Sequence, residues 1–147
     1  MRKILWCGAL GVLAVVAGCG TDEGPERAAV SGTVKVDGEP LADGAISFLP
    51  TDGTVGPAAG GTVKDGTFDI PKADGVVVGK NRVEITGNRK TGRKVPDAGK
   101  PGTMHEEVVS AIAPEANTRS KLVETVKSGS NTFDFDVKGS KPTPKAK

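Results

Sequence analysis

Two groupings of side chains in this 147-residue chain have types and spacing that could do chemistry. His105-Glu106-Glu107 sets the one imidazole beside two carboxylates, the ingredients of a metal site or of general acid–base catalysis. A hydrolytic metal centre draws about three protein ligands from separate elements, and here no second histidine exists. Activation of a serine by His105 lacks a nucleophile-elbow sequence to present that serine. No catalytic residue, metal site or cofactor is therefore expected, and the alternative is a metal-dependent or hydrolytic module using the 105–107 loop. The second grouping is cationic: Arg89, Lys90, Arg93 and Lys94, with Lys100 beyond them, lie among glycines and prolines. Clustered Lys and Arg gain free energy against an anionic surface or polymer, so these four are the candidate binding contacts.

A third chemical feature lies at the N-terminus. Arg2 and Lys3 precede an apolar run from Ile4 to Ala17, the order of a secretory signal. Those 14 positions fall short of the ~20 residues that span a bilayer as a helix. Val16-Ala17-Gly18-Cys19 resembles the bacterial lipobox, in which the thiol receives diacylglycerol as a thioether and small residues admit the peptidase. The expected product starts at lipidated Cys19 after removal of residues 1–18. Several acyl chains hold such a product durably, since each buried CH₂ contributes about 0.8 kcal/mol. Cys7 leaves with the signal, so no disulfide is available and stability must come from burial. Gly20 follows the cysteine, which resembles the pattern permitting transfer to the outer membrane of a double-membrane bacterium.

Without Arg2 and Lys3 the remaining 18 basic residues balance 18 acidic ones. That balance gives no electrostatic reason to expect nucleic acid as partner. The expected partners are the membrane, through the lipid, and an envelope protein or anionic polymer. Residues 19–28, with Gly24 and Pro25, read as a flexible tether, and 139–147, with prolines between lysines, as a disordered basic tail.

Between tether and tail, short β-branched or aromatic runs alternate with turn residues, the pattern of antiparallel sheet. Val30, Val34 and Val36 fall on one face of a first strand that stops at Asp37-Gly38, a pair suited to a tight hairpin. Ile46 and Phe48 mark the next strand, closed by Pro50. Asp65-Gly66 turns a run from Ala58 to Val63 into one containing Phe68 and Ile70, and Val83 and Ile85 alternate in another. A last pair, Leu122 to Lys127 and Asn131 to Val137, is joined through Ser128-Gly129-Ser130, with Phe133, Phe135 and Val137 inward. About seven strands at this spacing suggest a sandwich. The stretch from Gly87 to Pro114 exceeds an ordinary connection. Met104, Val108 and Ile112 recur there at helical spacing, so a short amphipathic helix or an added edge strand is expected.

Val30-Ser31-Gly32-Thr33-Val34, Asp37-Gly38-Glu39-Pro40-Leu41 and Gly44-Ala45 resemble the start of a carboxypeptidase-regulatory-like, or transthyretin-like, domain. Asp65-Gly66-Thr67-Phe68, Val78-Gly79-Lys80-Asn81-Arg82-Val83 and Asn131-Thr132-Phe133-Asp134-Phe135-Asp136 follow in the order of that family. The arrangement is similar to small lipoproteins of this type in planctomycete-like bacteria. The resemblance covers residues 29–138 and implies an all-β, seven-stranded Greek-key-like sandwich. It implies no peptidase, because in metallocarboxypeptidases this module accompanies a separate catalytic domain. The expectation is a non-enzymatic, lipid-anchored module of the cell envelope.

Overall fold

The computed structural model describes residues 24–141. The expected lipidation at Cys19, the expected signal before it and residues 142–147 of the expected tail lie outside the described residues. The described chain is all-β, with ten strands and two single 3-10 turns, Lys72–Asp74 and Pro114–Ala116. The strands are β1 (Arg27–Val36), β2 (Glu39–Pro40), β3 (Asp43–Pro50), β4 (Ala59–Lys64), β5 (Thr67–Ile70), β6 (Val76–Val77), β7 (Gly79–Pro96), β8 (Met104–Ser110), β9 (Val123–Val126) and β10 (Ser130–Val137).

Two of the Asp-Gly pairs make two-residue hairpins. Val36 pairs with Glu39 across Asp37-Gly38, and Lys64 with Thr67 across Asp65-Gly66. In both, Asp and Gly take positive φ (51° and 86°; 47° and 73°), the demand that Asp-Gly meets at low cost. Asp74-Gly75 behaves differently, closing a 3-10 turn with Gly75 at negative φ.

Hydrogen bonding runs along the sheet in the order β10-β1-β5-β4-β3-β7-β8, with β2 and β6 on β1 and β9 on β7. All pairings are antiparallel except β1 with β10, which run parallel from Ala29↔Ser130 to Val36↔Val137. The expected last hairpin is therefore not a pair. β9 pairs with Gly79 to Arg82 of β7, and β10 crosses to the far side of β1. This crossing brings two aromatic rings of β10 to the rest of the core. Phe48, Phe68, Phe135 and Phe133 form a closed circuit of tilted rings with centroids 6.2–6.4 Å apart. β3 and β10 stand four positions apart along the sheet, so contact between Phe48 and Phe133 requires the sheet to curl over itself.

Residues expected to face inward do so: Val30, Val34, Ile46, Phe48, Phe68, Ile70, Val83, Ile85, Phe135 and Val137 are buried, with Val36 and Phe133 packed against them. Gly32 lies directly opposite Phe133 in the parallel ladder, where a Cβ would overlap the Phe133 carbonyl oxygen. The one buried asparagine, Asn81, uses its amide to hold the Val77 and Gly79 carbonyls (2.8 and 3.0 Å) at the turn into β7.

The registers also fix direction. β1 rises from Arg27, β5 descends, β4 rises, β3 descends and β7 rises again, so Arg27 and Gly79 share one end of the sheet. At the other end, β7 continues beyond Gly87, its last residue paired with β3. The long connection is thus a hairpin arm, Asn88 to Pro96 against Met104 to Ser110, rather than a helix. Alternation decides this: Val109 pairs with Arg89 and Val108 with Lys90, so the two valines point to opposite faces of an extended strand.

Candidate functional site

The arm brings together the two groupings that the sequence sets 16 residues apart (Arg89 to His105). Asn88↔Ser110, Arg89↔Val109 and Lys90↔Val108 pair at its base; Lys94↔Glu106, Val95↔His105 and Pro96↔Met104 pair beyond. Between Lys90 and Lys94 the first strand advances four residues while the second advances two, from Val108 to Glu106. Gly92, at φ 75°, absorbs part of this bulge in a conformation that a side chain disfavours.

Strand alternation divides the charges between two faces. On one, Lys90 Nζ pairs with Glu106 at 3.4 Å, beside Lys94 and the exposed Met104 and Val108. On the other, Arg93 grips Glu107 with two nitrogens: Nε donates to Oε2 at 3.0 Å, and Nη2 donates to Oε1. Thr91 Oγ1 donates to the same Oε2 at 2.9 Å. The hydrogen bonds from Arg93 and then Thr91 hold the Glu107 carboxyl below its ordinary pKa, and the bond to Glu107, aided by its charge, pushes Arg93 above the usual arginine value.

This second face borders a cavity of about 510 Å³ lined by Arg89, Thr91, Arg93, Glu107, Ser110 and Ser140, with Val109 and Lys141 completing the wall. Arg89 Nη2 donates to the Ser140 carbonyl at 3.0 Å. Ile112 bridges to Gly139, and Ser140 donates its N–H to the Ala111 carbonyl at 2.9 Å. The first residues of the expected tail are thereby stitched to the root of the arm. Among the described residues no carboxylate lies within ion-pair distance of Arg89, Lys94 or Lys141. The cavity face thus gathers three cations, Arg89, Arg93 and Lys141, around the one carboxylate of Glu107.

His105, Glu106 and Glu107 are consecutive on an extended strand, so His105 and Glu107 share a face and Glu106 takes the other. Lys90 holds Glu106 and Arg93 holds Glu107. No group of three His, Cys, Asp or Glu side chains able to hold a metal ion occurs among the described residues. This arrangement can offer hydrogen-bond donors and positive charge to an anion, which is binding chemistry.

Thr91, Ser110, Ser140 and Lys141 escaped the reading of the sequence. The odd-numbered order Arg89-Thr91-Arg93 was the available signal, masked by Gly87 and Gly92, which read as loop. Glu107 stood out as a rival site's residue, whereas it is the partner of Arg93. Compared with family models, curated proteins and solved structures, the chain matches none.

Proposed function

We propose that this chain is a non-enzymatic, lipid-anchored binding module of the bacterial cell envelope, holding to the membrane through Cys19 and presenting the arm to an envelope protein or anionic polymer. The seven strands of the main path, curled so that Phe48 meets Phe133, support a Greek-key-like sandwich of the carboxypeptidase-regulatory-like kind. The observation that carries the reading is positional. The described chain begins beside Arg27 at one end of the sheet, and the cationic cavity lies at the root of an arm leaving the other end.

Gly24 lies five positions after Cys19, a reach of at most roughly 18 Å. β7 alone, at about 3.3 Å per residue, extends on the order of 50 Å from Gly79 to Pro96. With the lipid at residue 19, Arg89 and Arg93 are displayed away from the anchoring membrane, so that membrane's headgroups are not their ligand. The test is crosslinking in intact cells. The wild-type chain is expected to capture a reproducible envelope partner, and replacement of Arg89, Lys90, Arg93 and Lys94 by Ser to lose it. An unchanged crosslinking pattern in that variant would remove the arm from the reading. Cys19→Ala is expected to abolish acyl labelling and release the protein from membranes.

A further inference from the structure

We propose that Glu107 is an internal stand-in for the ligand: Arg93 and Thr91 form a carboxylate receptor that Glu107 fills in this structure, and a carboxylate of an external acidic glycan takes its place. The inference rests on the binding reading above and names its ligand class. Three donors converge on one planar carboxylate, two from the guanidinium fork and one from a hydroxyl 2.9 Å away. A fork-on-carboxylate arrangement is the geometry by which arginine recognises carboxylates in general.

The surroundings hold more than Glu107 can use. Arg89 spends one nitrogen on the Ser140 carbonyl, and the cavity that Glu107 borders also carries the ammonium of Lys141, while the Ser110 and Ser140 hydroxyls donate to the Ile112 and Ser110 carbonyls and hold the wall in place. Exchange is cheap because the Arg93–Glu107 pair is solvent-accessible, and exposed pairs contribute little net stability. Arg89 and Arg93 lie four residues apart on one face of β7, and because the bulge compresses that span to two residues of β8 they stand only on the order of 7 Å apart along the arm. Two guanidiniums this close, with Lys141 on the same wall, suit a polymer carrying repeated carboxylates better than a single small acid.

Glu106 supplies an internal control. It is the adjacent residue with the same charge, yet it pairs with Lys90 on the opposite face and does not line the cavity. The experiment measures binding of the full-length product, purified in detergent, to polygalacturonate, with neutral dextran and polyphosphate as comparison polymers. Wild type is expected to bind polygalacturonate, and Glu107→Gln to bind it about five-fold or more tightly, the scale of a typical coupling between competing contacts. Glu106→Gln, which changes net charge equally, is expected to stay close to wild type, and Arg93→Gln to lose binding.

Equal gains for Glu106→Gln and Glu107→Gln would reduce the effect to bulk charge and overturn the proposal, as would no gain for Glu107→Gln. Equal retention of polyphosphate would overturn the carboxylate assignment. Should Glu107→Gln fail to fold by circular dichroism, Arg93→Gln against Lys127→Gln decides: both remove one positive charge, but exposed Lys127 follows β9 at the end of the sheet away from the arm, so only the former removes the receptor. If no form binds polygalacturonate while arm-dependent crosslinks persist, the stand-in role falls and the binding module stands.

Discussion

At neutral pH Arg93 and Glu107 keep each other ionised, and the energetic consequence has a definite sign. The hydrogen bonds from Arg93 and Thr91 depress the carboxyl pKa of Glu107 in the folded protein. A depressed acid stabilises the folded arm fully above its unfolded value, about 4.3 for Glu, and that contribution is lost as pH falls through the folded value. The raised value of Arg93 acts only far into the alkaline range and leaves this window unchanged. A carbon-13 NMR titration should show the Glu107 carboxyl inflecting below the ordinary Glu range, and Arg93→Gln should return it to that range; an ordinary midpoint in wild type would deny the pair. The backbone beside this pair is equally specific. Gly92 has a positive φ of 75° with open space around it, so Gly92→Val costs through strain alone, about 1–2 kcal/mol. Since that glycine sits in the bulge ahead of Arg93, the NMR signature of the Arg93–Glu107 contact should weaken with it.

Strands whose alternation ends in a buried layer are legible in the sequence. Ile46 and Phe48, Phe68 and Ile70, and Val83 and Ile85 each put a large apolar residue at every second position, and burial enforces that register. β10 was legible as a strand but its partner was not. A half-buried alternating strand does not encode whether its neighbour is the preceding hairpin strand or, as here, β1 in parallel. Gly32 was the mute clue: only hydrogen fits against the Phe133 carbonyl. Gly32→Ala therefore forces β10 away from β1 and is expected to destabilise the protein by about 3 kcal/mol in chemical denaturation. A variant as stable as wild type would argue against the parallel pairing. The arm was legible as an excess of length and as either a short helix or an added edge strand. Met104, Val108 and Ile112 share a face under both periods, and most side chains around them face solvent, so the apolar pattern left that choice open until β8 took the edge of the sheet. The same exposure makes it the least protected element. Amide protons from Lys90 to Val108 should exchange well before those of β1, β3 and β10, as hydrogen-exchange NMR would show.

Taken whole, the molecule separates stability from display. Its aromatic side chains in the described residues are the four phenylalanines, and they meet in one ring circuit joining β3, β5 and β10, which carries much of the fold's cohesion where the described residues hold no cysteine. The proposed binding face lies elsewhere, on an arm that contributes none of the core residues between Arg89 and Ser110. Mutations in the two regions should accordingly have separable effects: Phe48→Ala is expected to cost about 3–5 kcal/mol of stability, and the four-serine arm variant to leave the melting temperature close to wild type. The separation is also spatial, and its geometry can be tested with the protein on a bilayer. Lys72 lies beside Gly24 and Arg27, near where the segment following Cys19 joins the sheet, while Ala98 is at the arm's turn. If Cys19 holds the lipid, a fluorophore placed through Lys72→Cys should be quenched by nitroxide-labelled lipids, and one placed through Ala98→Cys should not, because nitroxide quenching fades within some tens of ångströms and the arm adds its own length to that of the sheet. Quenching at both positions would mean that the protein lies flat and the arm touches the membrane. Quenching at neither would mean that the tether holds the sheet far from its anchor.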